Sequence, residues 1–217
     1  GALVGFGLVM RAMGRTEDAA ACFEAATAAD PARPEGYDNL GTLRLEAGDA
    51  AAAADLHRAA LDRRADAPGA WNNLGNALRA LGRGGEARAA WVCSLALDPA
   101  GAVVWSNLGN ALKEAEELAP AERAQRRALA LDPAGPMVWN NLSSTLHKRG
   151  RYGDSLAPLA RAVALDPAYA EALSNRALAV QRTGDAAGAA VLFERALTLN
   201  PDLPLARFNR GLLRLER

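Results

Sequence analysis

The chain has 217 residues, half of them hydrophobic but only 5% aromatic, with 25 Lys+Arg against 25 Asp+Glu and a formal net charge of zero. That length allows one large domain or two small ones, and the balanced charge argues against DNA or RNA as the main partner, since nucleic-acid binders meet phosphate with a basic excess. Much of the apolar content is alanine, which favours helix and lets helices approach closely without filling a deep core, so thin, closely spaced helical layers are expected.

The first apolar run, residues 2–10, is shorter than the roughly 18–20 residues of a membrane span, and no basic segment precedes it. It reads as a buried helix rather than a signal peptide. No other stretch is long enough to cross a membrane. Of the basic residues only Lys113 and Lys148 are lysines; with the abundant alanine this reads as the coding bias of a GC-rich, bacterial genome. Cys22 and Cys93 lie two repeat lengths apart, so no bridge is expected between them, and a reducing, cytoplasmic location fits. No Cys/His cluster has metal-ligand spacing, and no metal or cofactor is expected.

Internal repetition runs through the whole chain. Trp71, Trp105 and Trp139 are evenly spaced, with a period of about 34 residues. Stepping back by the same interval reaches Tyr37 and Leu3. Leu40, Leu74, Leu108 and Leu142 keep the step. So do Gly7, Gly41, Gly75, Gly109 and Gly211, with Ser143 and Ala177 as the small residues between, and two alanine-rich columns beginning at Ala19 and Ala26. Pro31, Pro99, Pro133, Pro167 and Pro201 close the units, with Ala65 the exception. The units are 1–33, 34–67, 68–101, 102–135, 136–169 and 170–203, and 204–217 reads as the first helix of a seventh or as a capping helix.

Residues 68–101 show what each column does. Trp71, Leu74 and Leu78 follow helical spacing and form one apolar stripe. Gly75 stands on that helix where a side chain would block a neighbour; its helical cost of about 1 kcal/mol relative to alanine implies close packing. Gly82 ends the helix. Ala87, Trp91, Ser94 and Leu95 stripe a second helix, and Asp98-Pro99 ends it because a residue before proline avoids helical backbone. Each unit is therefore a helix A, a tight turn and a helix B, and neighbouring units must stack to bury both faces.

Some positions depart from the pattern. Glu116 replaces the turn glycine, and Pro120 follows in the first turn of a helix B, where its missing N–H costs little. Pro158 falls deeper in a helix B and is expected to bend it. Arg176 and Arg210 occupy the leucine column, where their stems can pack while their heads reach water. Residue 1 falls inside a unit and Arg217 stops where a turn and helix B would follow, as in a segment of a longer protein or one with a natural terminal cap.

The run Trp71-Asn-Asn-Leu-Gly-Asn-Ala-Leu78, with Gly82, Ala87, Trp91 and Leu97-Asp-Pro99, resembles the tetratricopeptide repeat, and the match covers essentially the whole chain. The resemblance implies an all-α, right-handed superhelical solenoid of antiparallel helix pairs forming a single domain, with A helices lining a concave groove. It also implies a protein-protein interaction scaffold that binds an extended peptide or partner protein.

On the A helices Asn39, Asn73, Asn107, Asn141, Asn175 and Asn209 repeat at the same interval. A carboxamide offers a donor and an acceptor, matching a peptide's own C=O and N–H, at about 0.5–1.5 kcal/mol for each bond. The alternative is that these side chains satisfy neighbouring backbone or face water. A similar asparagine ladder belongs to the superhelix of O-linked N-acetylglucosamine transferases, so a substrate-recruiting arm of such an enzyme, with its catalytic domain elsewhere, is the second reading. One turn further come Asn76, Asn110 and Ser144, then Arg11, Arg79, Lys113 and His147 with Lys148 and Arg182 beside them. This mildly basic stripe suits a ligand with acidic side chains or a free carboxylate, or is simply a solvated face. The carboxylate clamp of chaperone-binding relatives needs a lysine in the column Val4, Asp38, Asn72, Ser106, Asn140 and Ser174, which has none. His57 sits in a helix B column with Phe23, Trp91 and Phe193 and reads as packing. No nucleophile-base grouping, phosphate loop or HExxH is present, so no catalytic residue is expected.

Overall fold

The computed structural model describes residues 1–215, which form helices joined by short turns, with no strand among them. The A helices are α1 (Ala2–Ala12), α3 (Pro34–Glu46), α5 (Pro68–Ala80), α7 (Ala102–Glu114), α9 (Pro136–Lys148), α11 (Ala170–Arg182) and α13 (Pro204–Leu215). The B helices are α2 (Thr16–Ala29), α4 (Ala50–Arg63), α6 (Gly84–Leu97), α8 (Leu118–Leu131), α10 (Tyr152–Leu165) and α12 (Ala186–Leu199). From α3 onward each A helix starts one repeat length after the last, as the sequence columns require. The last two residues of the expected seventh helix A lie outside the described residues. The chain divides into two compact units, Gly1–Val104 and Trp105 onward.

Within the hairpins the small-residue column faces a fully buried residue of helix B sixteen positions later. A Cβ built on Gly75 would lie 2.5 Å from Trp91 Nε1, on Gly7 2.4 Å from the Phe23 ring, and on Gly41 2.9 Å from the His57 ring. Phe23, His57, Trp91, Gln125, Leu159 and Phe193 are all fully buried. The core is thus a file of large side chains slotted against small ones, and Ala177 meets Phe193 in the same way in the later unit. The glycine positions exchange helix propensity for close packing.

The turns explain the punctuation. Gly82 adopts φ 74°, and Arg83 N–H reaches back to the Leu78 carbonyl at 2.9 Å, a Schellman closure. Gly14, Gly48, Gly150 and Gly184 share the left-handed conformation. Glu116 is forced into the same place at φ 60°, an arrangement that costs an L-residue roughly 1–2 kcal/mol. At the other end of the last four hairpins, Asp98, Asp132, Asp166 and Asn200 take up extended backbone before proline and accept the N–H two residues on at 2.9–3.0 Å. The tryptophans add a lock. Trp71 Nε1 donates to the Ala65 carbonyl at 2.8 Å, and Trp139 Nε1 to the Pro133 carbonyl at 2.9 Å.

The run 2–10 is helical but, against expectation, not buried. Within α1 only Gly7 is buried, while Phe6 and Val9 are 63% and 53% exposed. The helix packs through its glycine face on Phe23, and no described residue covers its opposite side. Pro158 lies inside α10, which runs unbroken past it, and Pro120 falls in the first turn of α8.

Candidate functional site

In the unit from Trp105 onward, a cavity of about 300 Å³ opens across the A helices. Lys113 of α7, Asn140, Asn141 and Ser144 of α9, Glu171, Ser174 and Asn175 of α11, and Leu203, Pro204 and Leu205 at the start of α13 line it. The periodicity produces this lining. One helical face recurs with every repeat, and the cavity cuts that face diagonally, from the last turn of α7 to the first turn of α13. Its chemistry changes along that diagonal from a cation, through carboxamides and hydroxyls, to an apolar end.

Hydrogen bonding divides the lining. Asn175 donates to Asn140 Oδ1 at 2.8 Å, joining two successive A helices, and Asn140 in turn donates to the Tyr169 hydroxyl at 3.3 Å. The Asn141 side chain makes no hydrogen bond to a described residue, and Lys113 forms no ion pair with one. Burial lowers the Lys113 pKa from its ordinary value; Glu114 opposes this and the like charge of Lys148 adds to it.

The earlier unit has a polar centre of another kind. The buried His57 ring sits 2.8 Å, through Nδ1, from Asp38 Oδ1. A carboxylate only accepts, so Nδ1 carries the proton. Asn73 donates to the same carboxylate at 3.2 Å. Burial by itself would raise the Asp38 pKa, but the hydrogen bond and charge of His57, with Asn73 and Arg64, outweigh it and hold the carboxyl below its usual range. Asp38 borders a cavity of about 440 Å³ with Glu35, Asn39, Arg64 and Asp66 among its walls. His57 was expected only to pack. It packs against Gly41 and also anchors this carboxylate, while its Nε2 is buried without a partner among the described residues.

Most of the other residues singled out in the sequence are engaged within the protein. Asn39 and Asn209 each donate to the carbonyl four residues back in their own helix, Glu35 at 2.7 Å and Leu205 at 2.9 Å. Asn76 and Asn107 are half-buried and have partners. Asn110 accepts from the buried Gln125 at 3.4 Å, whose Oε1 takes the Thr145 hydroxyl at 2.8 Å. Arg79 is exposed. His147 turns into its own hairpin. Ser155 Oγ donates to the Tyr152 carbonyl at 2.6 Å and so receives Nε2–H of His147 at 2.8 Å, while the Tyr152 ring lies 5.0 Å away. Burial pushes the His147 pKa down to about 4. Much of the basic stripe is likewise taken up: Arg11 pairs with Glu46 at 2.5 Å, Lys148 pairs with Glu116, and Arg182 lies over the Tyr152 ring.

Sequence reasoning noted the column containing Asp38 and Asn140 only for its lack of lysine. It is the column that receives the asparagine ladder, since Asn73 bonds Asp38 and Asn175 bonds Asn140 across a separation of 35 residues. That interval is one repeat plus one residue and was legible as a pairing of adjacent columns. Glu122 was also missed. It is nearly buried and bonded by Arg126, Arg149 and Arg151, tying α8 to the turn between α9 and α10. Burial favours raising its pKa, but the three guanidinium groups bring it below the ordinary value.

Known proteins agree with this architecture. Models of the tetratricopeptide repeat match residues 5–56, 39–102 and 102–134, and a TPR repeat model matches 144–184. The chain belongs to the tetratricopeptide repeat family. A search of the curated proteins gives no match. Among solved structures, Pseudomonas aeruginosa pilF superposes with a TM-score of 0.86 at 21% identity, covering 100% of this chain and 96% of that one. PilW, described as a widely conserved type IV pilus biogenesis factor, gives 0.84 at 20% identity, covering 95% and 96%. YrrB, described as a TPR protein with an unusual peptide-binding site, gives 0.73 at 20% identity, covering 87% and 97%. At these identities the likeness is one of fold, that of a helical solenoid. Among the described residues no helix is long and apolar enough to cross a membrane.

Proposed function

We propose that the protein is a non-catalytic scaffold that holds an extended peptide, or an extended segment of a partner protein, against its A helices. The observation that carries this reading is the lining of the cavity beyond Trp105. Lys113, Asn141 and Asn175, expected from the repeat period together with the tetratricopeptide resemblance, meet there with Asn140, Ser144 and Ser174. Carboxamides and hydroxyls suit a ligand whose own backbone supplies donors and acceptors. The fold supports the reading, because repeat solenoids present extended surfaces. Cys22 and Cys93 are unpaired and half-buried, which suits a reducing compartment, and we place the protein in the cytoplasm.

The test is peptide display against the whole chain, followed by affinity measurements on Asn141→Ala. Peptides that bind the native chain should bind the variant several-fold more weakly, at an unchanged melting temperature, since each such bond is worth about 0.5–1.5 kcal/mol. Equal affinity at equal melting temperature removes Asn141 from the site.

A further inference from the structure

Resting on that reading of the cavity, we propose that it selects a segment carrying a carboxylate and, a short extended stretch away, an apolar side chain, with the carboxylate at the α7 end and the apolar group at the α13 end. The acid preference comes from Lys113. It is half-buried and pairs with none of the described residues, whereas its neighbour Lys148 is already paired with Glu116. A partly desolvated ammonium held in no close ion pair gains more from an incoming carboxylate than an exposed one does, because its desolvation has already occurred in the free protein. The geometry and the depressed pKa agree on this point.

The apolar preference comes from the other end. Leu203, Pro204 and Leu205 line the cavity there, and Leu205 is 67% exposed. It stands in the first turn of α13, where it can shed water only against something outside the described residues. Glu171 fixes the order. It is an exposed carboxylate on α11, the A helix before that apolar end, and it repels a ligand carboxylate placed there. Acid is therefore accepted beside Lys113 and disfavoured beside Leu205. Between the two, the free Asn141 carboxamide is available to the ligand backbone.

The experiment uses the full chain and a random-peptide display library, with Lys113→Met and Leu205→Ser as variants. Methionine replaces a half-buried charge by an apolar chain of similar length, so folding should survive. Enrichment of Asp or Glu together with an apolar residue is expected. Synthetic peptides from that pool should lose about tenfold in affinity on Lys113→Met or on Asp→Asn in the peptide, and moderate salt should weaken them similarly. Leu205→Ser should lower affinity only for peptides bearing the apolar residue. Enriched peptides without acidic residues, or with equal affinity for Lys113→Met, overturn this inference while leaving a peptide-binding groove in place. A library that yields no enriched peptide overturns both.

Discussion

Both units use the same hairpin, yet they spend its polar column differently. Before residue 105, Asp38 is held by His57 and Asn73, Glu35 faces Arg64, and Asn39 bonds its own helix. Beyond it, Asn175 and Asn140 pair off, but Lys113 and the side chain of Asn141 are left open to a cavity. Equivalent sequence positions therefore divide into side chains that hold helices together and side chains that remain available. The division depends on whether a neighbour one repeat away offers the complementary group.

The sharpest way to break the comparison is Asp38→Ala. It strands the buried His57 with no acceptor for Nδ1 and frees Asn73, so urea denaturation should show a loss of about 2–3 kcal/mol. An unchanged midpoint would mean that the earlier centre is not structural.

Acid should separate the units next. The folded pKa of His147 lies near 4, below its ordinary value of 6.5. The unfolded chain therefore takes up this proton first as the pH drops, and the stability from the neutral ring is complete above about 6.5 and lost towards 4. Discounted for partial exposure, the loss is roughly 1–2 kcal/mol. It should disappear from the difference between pH 7 and pH 4.5 in His147→Gln. Asp38 works in a lower window. Its folded pKa is depressed, so its contribution is present above the unfolded carboxyl value near 4 and is lost as the pH falls below that. Asp38→Asn should therefore flatten the melting-temperature profile only below about pH 4.

Glu116 offers a gain instead. Its φ of 60° matches the left-handed region of the glycines in the equivalent turns, and Glu116→Gly should raise stability by about 1 kcal/mol, less a few tenths for the exposed pair with Lys148. A lower melting temperature would show that the ion pair outweighs the strain.

The smallest effects should divide the asparagine column itself. Asn175→Ala should cost about 1 kcal/mol of stability through Asn140, whereas Asn141→Ala should leave thermal unfolding unchanged. Equal losses for both would erase the distinction between stitching and available side chains.

The repeat, the turn glycines and the close-packing glycine positions were legible in the amino-acid order, because backbone conformation and helix periodicity are local and a strict period repeats each local decision. Gly75 could be read as a close-packing site without knowing that Trp91 fills the space. Which polar side chains stitch helices together and which stay unbonded depends on the packing of the helices. Asn73, Asn141 and Asn175 look alike in the column; what distinguishes them is that Asn73 bonds Asp38 and Asn175 bonds Asn140 on the preceding A helix, whereas the Asn141 side chain bonds no described residue. The same holds for His57 and His147. Their burial and their partners Asp38 and Ser155 come from the two helices of one hairpin brought side by side, and no single helix carries both partners.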